Sequence, residues 1–246
     1  ANAAYRFVWN VFCDWYLELA KPLFMGEDEA AKAETRATAA WTLDVIFKLL
    51  HPFMPFLTEE LWAIKGAEGP KRESLLVLSS WPEVDGLGDA EAEAEVGWVV
   101  DLVTEVRSVR SEMNVPAGAQ IPVVLVGADA AAKQRATDWG DTIRRLARIF
   151  EITFGTAAPA GSAQMLVRGM TVAMPLAGTI DIAAEKARLA KEIGKIDADA
   201  KKIEAKLGNA DFVSRAKEEV VEENRERLED ARAKIAKLKT ALERLG

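Results

Sequence analysis

From Asp181 to Gly246 apolar residues return at alternating spacings of four and three: Ile182, Leu189, Ile193, Ile196, Ala200, Ile203 and Leu207, with one step missed at Lys186. After Gly208-Asn209-Ala210-Asp211 the pattern resumes through Val221, Asn224, Leu228, Ala231, Ile235, Leu238, Leu242 and Leu245. Two heptad-patterned helices joined by four turn residues can bury their seams within one chain only as an antiparallel coiled-coil hairpin. Each arm of about 24 residues or more projects on the order of 35 Å. This segment carries 16 Lys and Arg against 15 Asp and Glu, a net of +1, so the preceding 180 residues hold −8 of the chain's −7. Lys201, Lys202 and Lys206 lie just before the tip and Arg215 and Lys217 just after it. Such a tip suits a phosphate backbone, but charges outside a coiled-coil seam are also its ordinary solvated surface, and composition weighs the two equally. Phe212 at the tip reads as a hydrophobic plug for the turn, ahead of a base-stacking residue.

The second constraint is the stretch AAWTLDVIFKLLHPFMPFLTEELW, Ala39 to Trp62. Ala39, Leu43, Ile46 and Leu50 recur at helical spacing, and Pro52 ends that helix by disfavouring helical geometry at His51. Pro55 opens the next, where a first-turn proline sacrifices no hydrogen bond. Leu57, Leu61 and Ile64 form its stripe, and Phe53, Phe56 and Trp62 add aromatic bulk, so the corner is expected to be buried in a helical bundle. Upstream, Tyr5, Val8, Phe12, Trp15, Leu19 and Leu23 mark a first helix running to about Pro22, followed by a loop from Gly26 to Ala33. That helix is in phase from the first residues, without Met or a cap, and reads as starting inside a longer polypeptide. Trp15, Tyr16 and Cys13 are read as core ahead of a stacking platform.

Beyond Trp62, Ser74 to Ser80 reads as a short extended segment, and Ala90 opens a long helix with Val96, Val99, Val103, Val106 and Met113 on one face, the last of the bundle. Arg107, Arg110 and Ser111 present together near its end. From Ile121 the composition shifts: a β-branched run to Val126, a helix from Asp129 to Ala147, an alternating strand from Ile149 to Phe154, and two strands flanking a turn at Arg168-Gly169. The fold class is therefore mainly α with a small α/β module: a bundle over residues 1–120, a mixed sheet over 121–180 and a coiled-coil hairpin over 181–246.

Several function classes drop out on chemistry. The net charge of −7 is unlike a generally basic nucleic-acid binder, one cysteine permits no internal disulfide, and one cysteine with one histidine makes no zinc site. No apolar run reaches membrane-spanning length, and a cytoplasmic, monomeric protein is expected. His51 at a helix end reads as a capping or core group, and Glu59-Glu60 and Glu218-Glu219 point apart on their helices. No catalytic residue and no metal ligand is expected.

FVWNVFCDWYLELAKP (Phe7 to Pro22) and LLHPFMPFLTEELW (Leu49 to Trp62) resemble the anticodon-binding helical domain of the class I aminoacyl-tRNA synthetases for valine, isoleucine and leucine. VRSVRSEMNVP (Val106 to Pro116) resembles that bundle's closing helix. PLAGTIDIAAEKARLAKEI from Pro175, KLGNADFVSRA and ERLEDARAKIAKL are similar to the C-terminal coiled coil of the bacterial valine enzymes. The isoleucine type carries a cysteine-rich zinc module that a single Cys13 cannot build, and the leucine type lacks the hairpin. One departure is Lys217, where relatives carry proline after the alanine matching Ala216.

The resemblance implies an RNA partner, tRNA(Val), with the bundle reading the anticodon and the coiled coil supporting the tRNA outer corner. It implies catalytic and editing domains upstream, where ATP and Mg would be used, no cofactor within these residues, and a bundle lacking its early helices. Lys21, Arg36, Arg107, Arg110 and Asn114 are its candidate tRNA contacts in the bundle, and Lys201, Lys202, Lys206, Arg215 and Lys217 those on the arm. The competing readings are a structural coiled coil that docks a protein and never touches RNA, and the equivalent region of an isoleucine or leucine enzyme.

Overall fold

The computed structural model describes residues 1–215 and 217–245, and the backbone alone at Ala210 and Asp211. Ala216, against which the departure at Lys217 was aligned, lies outside the described residues. The chain divides into two compact units, Ala1–Asp89 and Ala90–Gly246.

The first unit opens with α1 (Asn2–Arg6), passes through a π-helical stretch (Phe7–Tyr16) and continues as α2 (Leu17–Met25). Its i→i+5 turns rotate residues differently from a 3.6-residue helix, so the expected stripe does not share one buried face. Phe12 is buried, whereas Tyr5 and Leu23 are exposed. The loop expected from Gly26 to Ala33 is shorter, because the Asp28 carboxylate accepts from the amides of Ala30 and Ala31 and starts α3 (Glu29–Leu50) at once. Pro55 does open α4 (Pro55–Glu68). The Thr58 hydroxyl lies 2.9 Å from Met54 O and is hydrogen-bonded to His51 Nδ1 at 2.8 Å, so the imidazole fastens the corner. The corner itself is not buried as expected. Phe56 is 90% exposed and Phe53, Leu57 and Ile64 are about half exposed.

Ser74 to Ser80 is likewise no strand. Glu59 accepts from the amides of Leu76 and Val77 and nucleates a 3-10 turn, Leu76–Leu78, which seats Leu76 against α4.

In the second unit α5 (Ala90–Glu112) buries Trp98, Val99, Leu102, Val103, Val106 and Val109, with Met113 just beyond its end. This helix, read as the last of the bundle, makes its contacts with the sheet and its helices. β1 (Ile121–Val126) runs parallel to β2 (Ile149–Gly155), and β4 (Met170–Pro175) pairs antiparallel with both β1 and β3 (Ser162–Val167), giving the order β2-β1-β4-β3. The crossover expected as one helix is two, α6 (Ala130–Asp138) and α7 (Gly140–Ala147), broken at Trp139. The Arg168-Gly169 turn is as expected: φ values of 47° and 86° place both residues in the left-handed region that a two-residue β-hairpin favours.

The hairpin consists of α8 (Ile182–Leu207), a short α9 (Ala210–Arg215) and α10 (Glu218–Arg244). Every seam residue named from the heptads is buried or half-buried. The missed step at Lys186 is covered by its neighbour Glu185, which is 8% exposed and holds Arg188. The tip is longer than four residues, because Asn209 caps the extra helical turn of α9. Both ends of the hairpin return to the end of α5: Arg188 donates to Glu112 O at 3.2 Å, and Arg244 pairs with Glu112 at 2.8 Å and with Glu105 at 3.3 Å. The two arms are therefore antiparallel.

Candidate nucleic-acid interface

Cations that recognise phosphate must be held in place yet keep donors available, so the partners of each candidate decide what it offers. In the first unit Lys21 is an exposed side chain bridged to Glu18, one turn earlier on the same helix, and Arg36 is exposed on α3. The strongest charge arrangement in this unit is one the sequence reading missed. Arg72 binds both carboxylate oxygens of Asp44, at 3.0 and 2.7 Å, while its guanidinium lies 3.7 Å from the Trp62 ring centroid and Lys65 takes the same carboxylate at 2.5 Å. Burial alone would push the Asp44 carboxyl up, but these hydrogen bonds and charges outweigh it and hold it below the usual carboxylate range. Arg72 is therefore committed to scaffold.

The second unit brings Arg107 and Arg110 together around one cavity of about 330 Å³, and adds Arg148. Arg107 Nε donates to Leu146 O at 2.9 Å. Arg110 is 7% exposed and donates to three carbonyls, Arg148 O at 3.2 Å, Pro116 O at 3.3 Å and Ala119 O at 2.8 Å. Arg148 donates to Ala117 O and, at φ 54°, caps α7 in the left-handed region. Burial, and then the neighbouring Arg148 charge, pull the Arg110 guanidinium below its ordinary range. Helical spacing could pair Arg107 with Arg110, but nothing in the sequence pairs either with Arg148, which arrives from the far end of the crossover.

Asn114, at φ 47°, turns toward the hairpin instead: with its amide oxygen facing Arg188 it accepts from Nη2 at 3.1 Å and Nε at 3.0 Å. Arg188 also binds Glu185, chiefly, and Glu192, which raise its pKa against the opposing effect of burial. Asn114 thus helps seat the arm on α5.

On the arm, Lys201 pairs with Asp197 at 2.7 Å, which raises its pKa through that hydrogen bond, and Lys202 pairs with Asp199 at 3.0 Å. Both lysines remain largely exposed, as do Lys206, Arg215 and Lys217. These five share the outer third of the hairpin. Phe212 is half-buried. Among the described residues no group of three or more His, Cys, Asp or Glu could hold a metal ion, and no helix is long and apolar enough to cross a membrane.

Residues 1–125 match the family described as anticodon-binding domain of tRNA ligase, and residues 181–246 match the valyl tRNA synthetase tRNA binding arm. The whole chain aligns with the valine–tRNA ligases of Rhodopseudomonas palustris (52% identical), Caulobacter vibrioides (57%) and Brucella suis biovar 1 (55%). It spans 29%, 27% and 27% of the length of those relatives.

Proposed function

Since this chain belongs to the anticodon-binding domain family of tRNA ligases, carrying as well the arm that family members of the valine type possess, we propose that it is the tRNA-holding region of a valine–tRNA ligase. On this reading its partner is tRNA(Val), residues 1–120 serve anticodon recognition, 121–180 form a platform and 181–246 support the outer corner of the tRNA. The residues proposed to touch the tRNA are Lys21 and Arg36 in the first unit, Arg107 and Arg110 in the second, and Lys201, Lys202, Lys206, Arg215 and Lys217 on the arm, while Asn114 contributes by holding Arg188 at the arm's root. Catalysis, with its ATP and Mg, belongs to parts of the full-length protein outside these 246 residues, and the setting is a monomer in the cytoplasm.

One observation carries the choice of RNA over a docked protein. A coiled coil that docks a protein needs apolar surface to spare, but the hairpin spends its seam on itself. Of the exposed large hydrophobic residues in the described part of 181–246, there is only Val220, at 39%. What the arm turns outward is charge, which suits a phosphate backbone and fits poorly with a desolvated protein interface.

The test is titration of a tRNA(Val) transcript at two salt concentrations with the unsubstituted chain and with Lys201→Glu/Lys202→Glu/Lys206→Glu. The triple variant should bind more weakly, with a salt slope reduced by about two to three, at roughly 0.7–0.9 per lost phosphate contact, and an unchanged helical signal. Equal binding by both proteins would remove the arm from the interface.

A further inference from the structure

Two neighbouring side chains of α4 fix the walls of a cavity in the first unit. The Thr58 hydroxyl is hydrogen-bonded to His51 Nδ1 at 2.8 Å and holds the imidazole at the end of α3. Glu59 accepts from the amides of Leu76 and Val77, at 2.7 and 3.3 Å, and holds the 3-10 turn. The cavity they frame measures about 140 Å³ and is bordered by Lys48 and His51 from the end of α3, Val77 from the turn, and Ser79, Ser80 and Trp81 from the segment that follows. Cavities of about 150 Å³ take up a single benzene ring, so one six-membered ring is the size this space admits. Trp81 is 62% exposed and has an indole face to offer. With Nδ1 bound to Thr58, Nε2 is the imidazole nitrogen left for a ligand. The Ser79 hydroxyl gives its hydrogen to Leu76 O at 2.7 Å and keeps its oxygen as an acceptor. Lys48, whose ammonium stands 6.0 Å from the Trp62 ring centroid, adds a positive charge to the lining.

We propose that this cavity takes one unpaired pyrimidine of the tRNA, stacked on Trp81 with its edge toward His51 Nε2 and its phosphate beside Lys48. This deepens the tRNA reading and rests on it, since every residue of the cavity lies within the stretch that matches the anticodon-binding domain family. The bland alternative is that Trp81 is a loosely seated core residue at the end of the first unit. A core residue is surrounded by apolar groups, whereas this lining includes an imidazole, an ammonium and two hydroxyls. An apolar side chain from another protein segment would fill the space equally well but leave those groups unanswered. A base answers them, because a single ring carries both a π face and a hydrogen-bonding edge. The volume matches one ring better than a purine's two. Thr58 and Glu59 already hold the walls, so little ordering is left for the ligand to supply.

The experiment compares Trp81→Ala and Trp81→Phe with the unsubstituted chain, each variant first shown to retain its thermal melt. The readouts are the salt dependence of tRNA(Val) transcript binding and photocrosslinking to transcripts carrying brominated uridine or cytidine, with the adduct mapped on both molecules. On the unsubstituted chain the adduct should fall on Trp81 and on one unpaired pyrimidine, a result that needs no variant to fold. Trp81→Ala should lose about fivefold to a hundredfold in affinity at an unchanged salt slope, because a lost stack releases no counterions. Trp81→Phe should keep most of the affinity. A missing adduct at Trp81, or full affinity in Trp81→Ala, with the unsubstituted chain binding normally, would overturn the base pocket and leave the tRNA reading standing. No binding by the unsubstituted chain would overturn both. Full tRNA affinity together with lost binding of an apolar dye in Trp81→Ala would mark the cavity as a docking place for protein and overturn the base assignment.

Discussion

Asp44 shows how much a single residue can organise without leaving a trace in periodicity. It sits on the polar side of α3, and its partners Lys65 and Arg72 lie 21 and 28 residues away, so no helical spacing connects them. The triad also fixes Trp62, whose indole N–H donates to Ser74 O at 3.1 Å while Arg72 covers its face. Replacing Asp44 by Asn keeps the size and removes the charge that Lys65 and Arg72 converge on. At this partly exposed site we expect a loss of about 1–2 kcal/mol at pH 7, measured by urea denaturation. The sign with pH follows from the carboxyl being held below its unfolded value of about 3.9. The contribution is full above that value and is lost as pH falls through the depressed folded one, so wild type and Asp44→Asn should converge below about pH 4. A constant gap from pH 7 to pH 3 would mean that the charge contributes nothing. Arg148 was equally invisible in the sequence, since its neighbours in the fold come from 31 to 41 residues away along the chain.

At the level of elements, legibility tracked how local the determining contact is. The hairpin could be read because its seam repeats over seven heptads and each arm buries itself against the other. The mixed sheet could be read because β-branched runs and a two-residue turn are local signals. The tip was misjudged: Asn209 is a turn residue and a helix cap at once, and only the fold decides which. The corner from His51 to Trp62 is legible as helix-break-helix, but its exposure is not, since periodicity names an apolar face without saying what covers it. Lys217 is the departure with a measurable consequence. Its φ of −65° is the value a proline ring imposes, and it stands immediately before α10 with no side-chain cap. Lys217→Pro should therefore raise stability by about 0.4–1 kcal/mol by restricting the unfolded chain, seen as a higher urea midpoint, while tRNA affinity falls slightly through the lost charge. A lower midpoint would show that the local backbone rejects the ring.

Across the whole molecule the apolar core is divided unequally. Residues 1–89 bury Phe12, Ala20, Ile46, Phe47 and Leu76, yet leave Tyr5, Trp9, Phe53, Phe56, Leu78 and Trp81 more than half exposed. The second unit seals a core from Trp98 to Leu189, and among the described residues every apolar side chain below 2% exposure lies beyond residue 89. Because burial of apolar surface is the main favourable contribution to folding, the first unit is the weaker one. Five of the seven tryptophans, Trp9, Trp15, Trp41, Trp62 and Trp81, belong to it, while Trp98 and Trp139 report on the other. Urea unfolding should therefore be biphasic by circular dichroism, since both units are helical. Tryptophan emission should complete most of its change in the first phase, and an environment-sensitive apolar dye should bind before denaturant is added. Asp44→Asn should move only the first phase. Leu189→Ala, which empties a fully buried position at the root of the hairpin, should cost about 2–5 kcal/mol and move only the second. Coincident transitions by both probes, or one substitution shifting both phases equally, would show that the two units unfold as one cooperative body despite their separate cores.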